Sequence, residues 1–408
     1  MQTPRQRLLI TASVIAVALC VATCNGLKKS EDGAGVKNLK DEEFAGSISC
    51  RQCHKDISEA HKLTAHFRSS QVVNVTTSLG NFSPGNNTFV LNDRLKVMME
   101  KKSDTLFQTG FVDGWKAIRK PMELIIGAGR KAQTYLYWQD NKLFQLPVSY
   151  YSPLNAWCNS PGYPTDRILF DRPITARCIE CHGTYAKTVS EDNTDLFDRD
   201  QMILGVDCER CHGPAKAHVD FQLQNPGKKD ASLIVNPSKL SRQLQLDNCA
   251  LCHSGVRKLK QPAFSFAVGD KLEEFSIPDY SNDSVAALDV HGNQYGLLTS
   301  SKCFISSEMD CSSCHNVHVK EAEQLNTFSQ RCSKCHEKVN HTFDQQLSTQ
   351  SGMLTGNCID CHMPALPSRQ VFLRVENKTQ SAPEFVRTHR IAVYKEETEK
   401  FLERLKTP

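Results

Sequence analysis

The sequence is poor in apolar residues for its length. Of its 408 residues 39% are hydrophobic, the mean hydropathy is −0.42, and there are only 3 tryptophans. A chain of this length is long enough for two or three domains. Its hydrophobic fraction is nevertheless low for a protein that buries one large core of side chains.

The chain also has no large excess of positive or negative residues. The 49 Lys and Arg residues against 45 Asp and Glu residues give a net charge of +4, and no basic stripe runs along the chain. Nucleic-acid binding needs a clustered positive surface. We therefore expect no nucleic-acid partner.

Long apolar runs are absent except for one near the N-terminus. This run, Leu8–Leu19, follows Arg5 and Arg7 and is too short to span a bilayer. Basic residues followed by a short apolar run are typical of an export signal. The residues VATC at 21–24, which come shortly after the run, resemble a bacterial lipobox. We predict a signal peptide over 1–23 with lipidation of Cys24, the alternative being an ordinary cleaved signal. The mature chain would be periplasmic, or a membrane-attached lipoprotein, in a bacterium.

Cysteine is abundant instead, with 18 residues, and 14 histidines accompany it. The pattern CxxCH occurs seven times and uses fourteen of the cysteines. The cysteines of these motifs are Cys50 and Cys53, Cys178 and Cys181, Cys208 and Cys211, Cys249 and Cys252, Cys311 and Cys314, Cys332 and Cys335, and Cys358 and Cys361. The motif histidines are His54, His182, His212, His253, His315, His336 and His362.

The spacing of this motif has a chemical cause. Two thiols separated by two residues can add to neighbouring vinyl groups of a porphyrin, and the following histidine then reaches the iron. A zinc site would pair the motifs, which leaves one of the seven over and gives no role to a histidine after every cysteine pair. We predict seven covalently bound c-type haems, in an apoprotein that is largely unfolded because ligation and folding are coupled.

The histidines outside the motifs equal the haems in number. Every iron could therefore have two histidine ligands, which favours low reduction potentials. The alternative is that some are ordinary surface or hydrogen-bonded residues. The candidate sixth ligands are His61, His66, His218, His291, His318, His341 and His389.

One of these candidates cannot serve the haem of its own motif. In a helical segment His318 leaves the same face as His315, three residues earlier. A sixth ligand must approach the opposite face of the porphyrin, so His318 should reach a neighbouring haem and link the two. We expect His341 and His218 to behave similarly with respect to the motifs that precede them.

The motifs are spread unevenly along the chain. Between the first and second motifs, the segments TFVLNDRLKVMM, AQTYLYW and KLFQLPVSYY have strand character around a QDN turn. We expect a mainly α fold with long loops, haems forming much of the core, and a β-rich insertion between these two motifs. The predicted divisions are a flexible tether over 24–46, a first haem-binding segment over 47–75, the β-rich insertion over 76–165, a hexahaem region over 166–395 and a C-terminal helix over 396–408.

Two cysteines lie outside all motifs and the signal segment. A disulfide between Cys158 and Cys303 is one interpretation, since the compartment is oxidising. Two unpaired buried thiols are the other, and the sequence leaves this open.

Several stretches together resemble exported bacterial multihaem cytochromes c related to the tetrahaem carrier cytochrome c-554. They are GSISCRQCHKDISEAHKLTAHFRS, FDRPITARCIECHGTY, GVDCERCHGPAKAHV, DVHGNQYGLLTSSKC, DCSSCHNVHVKE, CIDCHMPALPS and VRTHRIAVYKEE. The resemblance departs from the family in haem number, seven in place of four. It implies sixth ligands at His66, His218, His291, His318 and His389, favours His341 next, and favours His61 least.

Three functions follow as hypotheses. The first is electron transfer between other extracytoplasmic redox proteins or membrane quinol-linked complexes, without substrate chemistry. The second is reduction or oxidation of nitrite, hydroxylamine or tetrathionate at one haem with an open coordination position, although no CxxCK motif is present. The third is a lipid-anchored docking subunit of a larger redox complex.

Overall fold

The computed structural model describes residues 32–164, 166–191, 194–279, 288–321, 324–337, 339, 341, 356–376 and 378–406. The predicted signal peptide and the predicted lipidation site, Cys24, lie outside these residues. In the part described, no helix is long and apolar enough to cross a membrane.

Eleven strands lie between the first two motifs. Strands β2 to β5 form a four-stranded antiparallel sheet in chain order. A second sheet has the order β1-β6-β7-β8-β11, and β9 pairs with both β7 and β10. The bounds are β1 Ser70–Val72, β2 Thr88–Val90, β3 Leu95–Lys102, β4 Thr105–Val112, β5 Trp115–Pro121, β6 Leu124–Ile126, β7 Ala132–Gln139, β8 Lys142–Gln145, β9 Val148–Tyr151, β10 Ala156–Asn159 and β11 Arg172–Ile174.

Local sequence explains these strands. In β3 the alternate residues Val97 and Met99 are fully buried while the charged end of the strand is exposed. Asp140 and Asn141, which join β7 to β8, both have positive φ, at 49° and 60°. Two consecutive residues with positive φ form a tight turn whose twist matches that of the two strands of a hairpin. The strands expected in this interval are therefore present, and their turns follow ordinary hairpin chemistry.

The strand-rich part has its own apolar core. Met99, Tyr135 and Trp157 belong to one buried cluster drawn from both sheets. The Trp157 indole N–H donates to the carbonyls of Asn81 and Asn86 at 3.1 and 3.0 Å. Burying this large ring with its one polar atom satisfied stabilises the contact between the sheets. This core consists of side chains alone.

The motif-bearing part contains short helices and three further hairpins. The helices are α1 Ser47–Cys53, α2 Lys55–His61, α3 Ala176–His182, α4 Cys208–His212, α5 Lys216–Gln224, α6 Arg242–His253, α7 Gln294–Thr299, α8 Lys302–Ile305, α9 Leu325–Ser333, α10 Ile359–His362 and α11 Lys395–Lys406. The hairpins pair β12 Gly183–Glu191 with β13 Thr194–Leu204, β14 Arg257–Leu259 with β15 Ser276–Pro278, and β16 Ala365–Leu373 with β17 Ala382–Arg387. Helix α11 lies where a C-terminal helix was expected.

The expectation of a mainly α fold was wrong. Of the residues that the structure describes, 27% are helical and 29% lie in strands, which form several sheets. The hairpins in the motif-rich part carry Asp, Arg and Pro within their strands, so their sequences lack the regular alternation that identifies a strand. Nor is the expected haem-rich core shown, since the buried clusters of the described residues consist of side chains.

Residues 32–46 also differ from the expected flexible tether. Val36 and Phe44 are only 1% and 3% exposed and share a buried cluster with Leu136 of β7 and Phe197 of β13. The Phe44 N–H donates to the Val36 carbonyl at 2.8 Å, which closes a short loop. Two apolar residues at the ends of a polar turn are enough to fix this segment. Residues 24–31 lie outside the described part.

The two cysteines outside the motifs are not bonded to each other. Cys158 is fully buried in β10, while Cys303 lies in α8 of the motif-bearing part, and both are free thiols. Burial, with a smaller contribution from the Glu384 carboxylate, raises the pKa of the Cys158 thiol to about 12. Cys158 is thus a buried apolar residue of the strand-rich core, and the disulfide interpretation is not met.

Candidate functional site

Each CxxCH motif forms one turn of helix. The N–H groups of His54, His315, His336 and His362 donate to the carbonyl of the first cysteine of the same motif, at 2.9, 2.9, 3.0 and 3.0 Å. The other three motifs lie within α3, α4 and the end of α6. Residues four apart on a helix lie on one face. The first cysteine and the histidine of every motif therefore project to the same side.

Capping residues fix where several of these turns begin. The Asp207 carboxylate accepts the N–H of Cys208 at 2.7 Å at the start of α4. Asp310 accepts the N–H of Ser313 at 2.9 Å, and the Ser313 hydroxyl lies 3.1 Å from the Asp310 N–H, which completes a capping box. These aspartates each immediately precede a motif and set its register.

Acidic residues inside three motifs tie the motifs to other parts of the chain. Glu209 is 6% exposed and accepts three backbone N–H groups, those of Ala45, Gly46 and Ala215, at 2.8, 3.0 and 2.7 Å. Glu180 accepts the Phe264 N–H at 2.6 Å. Sequence reasoning missed these residues, and their only signal was an acidic side chain within a CxxCH turn.

The third such contact lies in the last motif. The Asp360 carboxylate of CIDCH accepts from the Arg387 guanidinium at 2.7 Å. The same guanidinium donates to the Met363 carbonyl at 2.8 Å. The turn is therefore held against β17 by a charged hydrogen-bonded pair.

Four motif histidines face a histidine from outside the motifs. In each pair the two histidines lie more than 20 residues apart in the sequence, so each pair brings together separate segments. The ring centroids are 6.1 Å apart for His66 and His253, 6.2 Å for His212 and His318, 6.2 Å for His315 and His389, and 6.2 Å for His341 and His362.

These separations fit two imidazoles on opposite sides of one metal ion. A metal–imidazole bond is about 2.0 Å and the ring centroid lies about 1.1 Å further back, so the two centroids would be about 6.2 Å apart. Ring pairs without a metal have centroids about 4.5–7 Å apart, so the recurrence of 6.1–6.2 Å in all four pairs is the observation that favours a metal between them. The pairs therefore have the spacing of axial ligands.

His182 has two histidines near it, His253 and His291. Burial lowers the pKa of His182, and the neighbouring charges of His253 and His291 lower it further, against a hydrogen bond with Ser69 that raises it. His291 thus lies close enough to act on His182. Its backbone N–H donates to Asp289 at 2.8 Å, which fixes the loop that carries the ring.

Outer hydrogen bonds orient several of these rings. Nδ1 of His212 donates to the Val235 carbonyl at 2.9 Å, and Nδ1 of His362 donates to the Ala392 carbonyl at 3.0 Å. His218 makes the same type of bond, with its Nδ1 2.7 Å from the Ser232 carbonyl. An Nδ1 held in this way leaves Nε2 unprotonated for a metal. The arrangement is typical of metal-ligating histidines.

Two of the paired histidines are kept neutral by their surroundings. Burial, and then the charge of His253, lower the pKa of His66 to about 4. Burial, and then the charge of His315, lower the pKa of His389 to about 4. Both rings are neutral at pH 7, which is the form that binds metal.

His61 has different surroundings. Its Nε2 lies 3.1 Å from the Val206 carbonyl, and its Nδ1 lies 3.4 Å from the Val317 carbonyl and 3.4 Å from the Thr64 hydroxyl. A carbonyl oxygen only accepts, so each ring nitrogen can bond the carbonyl it faces only by donating a hydrogen. The ring lies 6.5 Å from His318, which is already paired. His61 is held by backbone groups and faces no motif histidine.

Cysteines of different motifs contact one another. In four cases the cysteine side chains of two separate motifs lie near enough for each to shift the pKa of the other, so the corresponding helical turns are neighbours. The contacts are Cys50 with Cys208, Cys181 with Cys252, Cys249 with Cys311, and Cys332 with Cys358.

The residues present fit covalently attached haem. Two thiols and one imidazole project from each turn, and a second imidazole faces several of them, while a porphyrin supplies the other four ligands of its iron. Among the residues that the structure describes, no group of three or more His, Cys, Asp or Glu side chains is gathered as a metal site. The recurring unit is a pair of imidazoles beside a pair of thiols.

Comparison with known proteins agrees with this chemistry. Residues 168–213 match the family of cytochrome c554 and c-prime. The matched segment contains the second and third motifs, with Cys178, Cys181, Cys208 and Cys211 and their histidines. The match supports a c-type cytochrome with covalently bound haem that acts in electron transport. No curated protein matches the chain, and no solved structure matches its fold.

Proposed function

We propose that the protein is an exported c-type cytochrome that carries seven haems and transfers electrons between extracytoplasmic redox partners. The observation that carries the proposal is the set of four histidine pairs with centroids 6.1–6.2 Å apart, each formed by one motif histidine and one other histidine. Two imidazoles fill both axial positions of an iron and favour electron transfer without substrate chemistry.

From these pairs we propose a sixth ligand for individual motifs. His318 serves the iron of the third motif, His66 that of the fourth, His389 that of the fifth and His341 that of the seventh. His291, which acts on His182, serves the second. The ligand thus always comes from a segment other than the motif itself, as expected for His318 from its spacing to His315.

His218 is assigned to the first motif, which has His54. The N–H of Lys216, at the start of α5, donates to the Glu43 carbonyl at 3.2 Å, just before α1. Glu209 accepts N–H groups from both segments, at Gly46 and at Ala215. The helix that carries His218 is therefore tied to the residues just before the first motif. The hydrogen bond between Nδ1 of His218 and the Ser232 carbonyl leaves Nε2 of the same ring for iron.

The cysteine contacts propose which haems are neighbours. They place the first motif beside the third, the second beside the fourth, the fourth beside the fifth and the sixth beside the seventh. The guanidinium of Arg331, in the helix of the sixth motif, donates to the Cys314 carbonyl of the fifth. His318, from the segment after the fifth motif, faces His212 of the third. Together these contacts link all seven motifs into one connected set suited to relaying electrons.

The partners of this relay are proposed to be other extracytoplasmic redox proteins or membrane quinol-linked complexes. Export rests on the apolar run Leu8–Leu19 with its preceding arginines, and membrane attachment rests on Cys24. Fractionation of cells labelled with palmitate tests both. The wild-type chain should be labelled in the membrane fraction, and Cys24→Ser should release it unlabelled; label retained by this variant would contradict the lipid anchor.

The haem number tests the proposal directly. A pyridine haemochrome assay should give seven haems per chain, one for each CxxCH. The double variant Cys178→Ala/Cys181→Ala should lose one of them. A wild-type count well below seven would contradict the proposed function, whereas the variant controls for errors in the protein concentration.

A further inference from the structure

A carboxylate faces the ring of the histidine of the fifth motif. Oε2 of Glu321 lies 3.9 Å from Nδ1 of His315, which is too long for a direct hydrogen bond. The Glu321 side chain is only 9% exposed, so solvent screens its negative charge little. The charge therefore acts on this imidazole at Nδ1, whereas Nε2 of the same ring is the atom that would bind iron.

Two further contacts hold this carboxylate in place. Oε2 of Glu321 accepts the N–H of Asn316 at 2.9 Å, and Oε1 accepts from the guanidinium of Arg331 in α9. The same guanidinium donates to the Cys314 carbonyl. Because these bonds are charge-assisted, Glu321 cannot move away from the fifth motif without breaking strong contacts.

The two side chains place opposite charges beside one iron site. Ferric haem carries one more positive charge than ferrous haem, so a nearby carboxylate stabilises the ferric form and a nearby guanidinium stabilises the ferrous form. The Glu321 carboxylate faces the His315 ring, while the Arg331 guanidinium is bonded to the Cys314 carbonyl and to Glu321. The carboxylate should therefore have the larger effect on the iron that His315 holds.

We propose that Glu321 is a positioning residue for His315 that lowers the reduction potential of the fifth haem, and that Arg331 limits this effect. The inference rests on the proposed function, because it presupposes haem at the fifth motif. A lower potential makes the reduced fifth haem a stronger electron donor to the neighbouring haems. The residue responsible lies outside the CxxCH motifs and is not a histidine.

A redox titration followed by haem absorption tests the inference. Glu321→Gln keeps the shape of the side chain and removes its charge. The part of the titration curve that belongs to one haem, about one seventh of the absorbance change, should therefore move to higher potential. Arg331→Gln removes the positive charge instead and should move the same part to lower potential. If Glu321→Gln fails to retain haem, the shift in Arg331→Gln still decides.

The matched control is Glu308→Gln. Glu308 lies three residues before Cys311, but its side chain is exposed to solvent. The same change of charge at this position should leave the titration curve unaltered, because solvent screens an exposed charge. A shift as large as that in Glu321→Gln would mean that any charge near the motif has this effect, and it would overturn the inference.

Removal of the fifth haem assigns the shift to one motif. In a Cys311→Ala/Cys314→Ala background, Glu321→Gln should no longer alter the titration curve. A shift that persists in this background would belong to another haem and would overturn the inference.

The other outcomes separate this inference from the proposed function. Seven haems in the wild type with no shift in either variant would overturn the inference and leave the proposed function standing. A wild-type haem count well below seven would contradict the proposed function itself. Shifts of the same sign in Glu321→Gln and Arg331→Gln, or loss of the fifth haem from both, would show that the pair has only a structural role and would also overturn the inference.

Discussion

The change His318→Ala provides the sharpest test of the histidine pairs. It removes the ring whose centroid lies 6.2 Å from that of His212, while His315 keeps its own partner, His389, at 6.2 Å. The variant should therefore open the iron of the third motif, at Cys208–His212, and leave the iron of the neighbouring fifth motif unchanged.

The expected size of the effect follows from the number of motifs. With the seven haems proposed, one newly opened iron is about one seventh of all the haem, so this share should move from low spin to high spin and CO binding should rise by about one per chain. Low-temperature EPR of the oxidised protein and CO titration of the reduced protein measure the two quantities. His61→Ala is the matched control, since its ring lies 6.5 Å from His318 but faces no motif histidine.

The new site must then be assigned to a motif. Adding Cys208→Ala and Cys211→Ala to His318→Ala should remove the additional CO site together with one haem. Adding Cys311→Ala and Cys314→Ala should leave the site in place. The reverse result, with loss of the site only when the fifth motif is removed, would refute the reasoning that a histidine three residues after His315 serves another haem.

Three further predictions concern stability. Glu209→Ala should lower the free energy of unfolding by about 3 kcal/mol, because three backbone N–H groups lose a charged acceptor, whereas Glu209→Gln, which keeps a carbonyl oxygen, should cost less in the same urea titration. Burial raises the pKa of the Glu209 carboxyl. The contribution of Glu209 to the free energy of unfolding is therefore complete below the usual pKa of 4.5 and declines as the pH rises through the raised pKa. Glu209→Gln should remove this pH dependence, as measured by thermal melts at pH 4 to 8. Gly80→Ala would place a Cβ 2.1 Å from the Trp157 ring and should cost about 1–3 kcal/mol of stability by overpacking, as followed by far-UV circular dichroism.

Outcomes that would contradict these predictions are distinct. Equal destabilisation by Glu209→Ala and Glu209→Gln would show that the acceptor oxygen is unimportant. A pH profile identical in wild type and Glu209→Gln would assign the dependence to other groups. Wild-type stability in Gly80→Ala would mean that Trp157 has room to move. The haem absorption spectrum serves as the common control, since none of these side chains is assigned to an iron.

Haem removal gives a prediction for the fold as a whole. Composition suggested a largely unfolded apoprotein, but the strand-rich part has a side-chain core around Met99, Tyr135 and Trp157. Protein made without haem attachment should therefore keep strand signal in circular dichroism and protect this part against proteolysis. The helical turns of the motifs should be lost because ligation stabilises them. Complete loss of strand signal would contradict this division.

The chemistry of the site was far easier to predict than the fold. CxxCH is a local pattern, and the turn it forms depends on five consecutive residues, so all seven turns were expected. The geometric argument for His318 was also local, and the structure places that ring against His212 rather than His315. Which motif it would reach was not predictable, because that depends on contacts between segments distant in sequence.

Other features depended on such distant contacts. His61 could be recognised as a hydrogen-bonded residue only once Val206 and Val317 were placed beside it. Val36 has polar residues on both sides, so its segment resembled a tether. The apolar residues that bury Val36 lie in strands far along the chain. The hairpins among the motifs escaped prediction since their strands carry little apolar alternation.

The histidine pairs also have a consequence for the order of maturation. If the chain is exported as proposed, it emerges N-terminus first, so His66 would already be outside when the fourth motif, with His253, appears. The third and fifth motifs face the opposite situation, because His318 and His389 follow His212 and His315 in the chain. Their irons would remain without a second histidine until later segments are translocated. The C-terminal segment that carries His389 would thus complete the coordination of the fifth motif last.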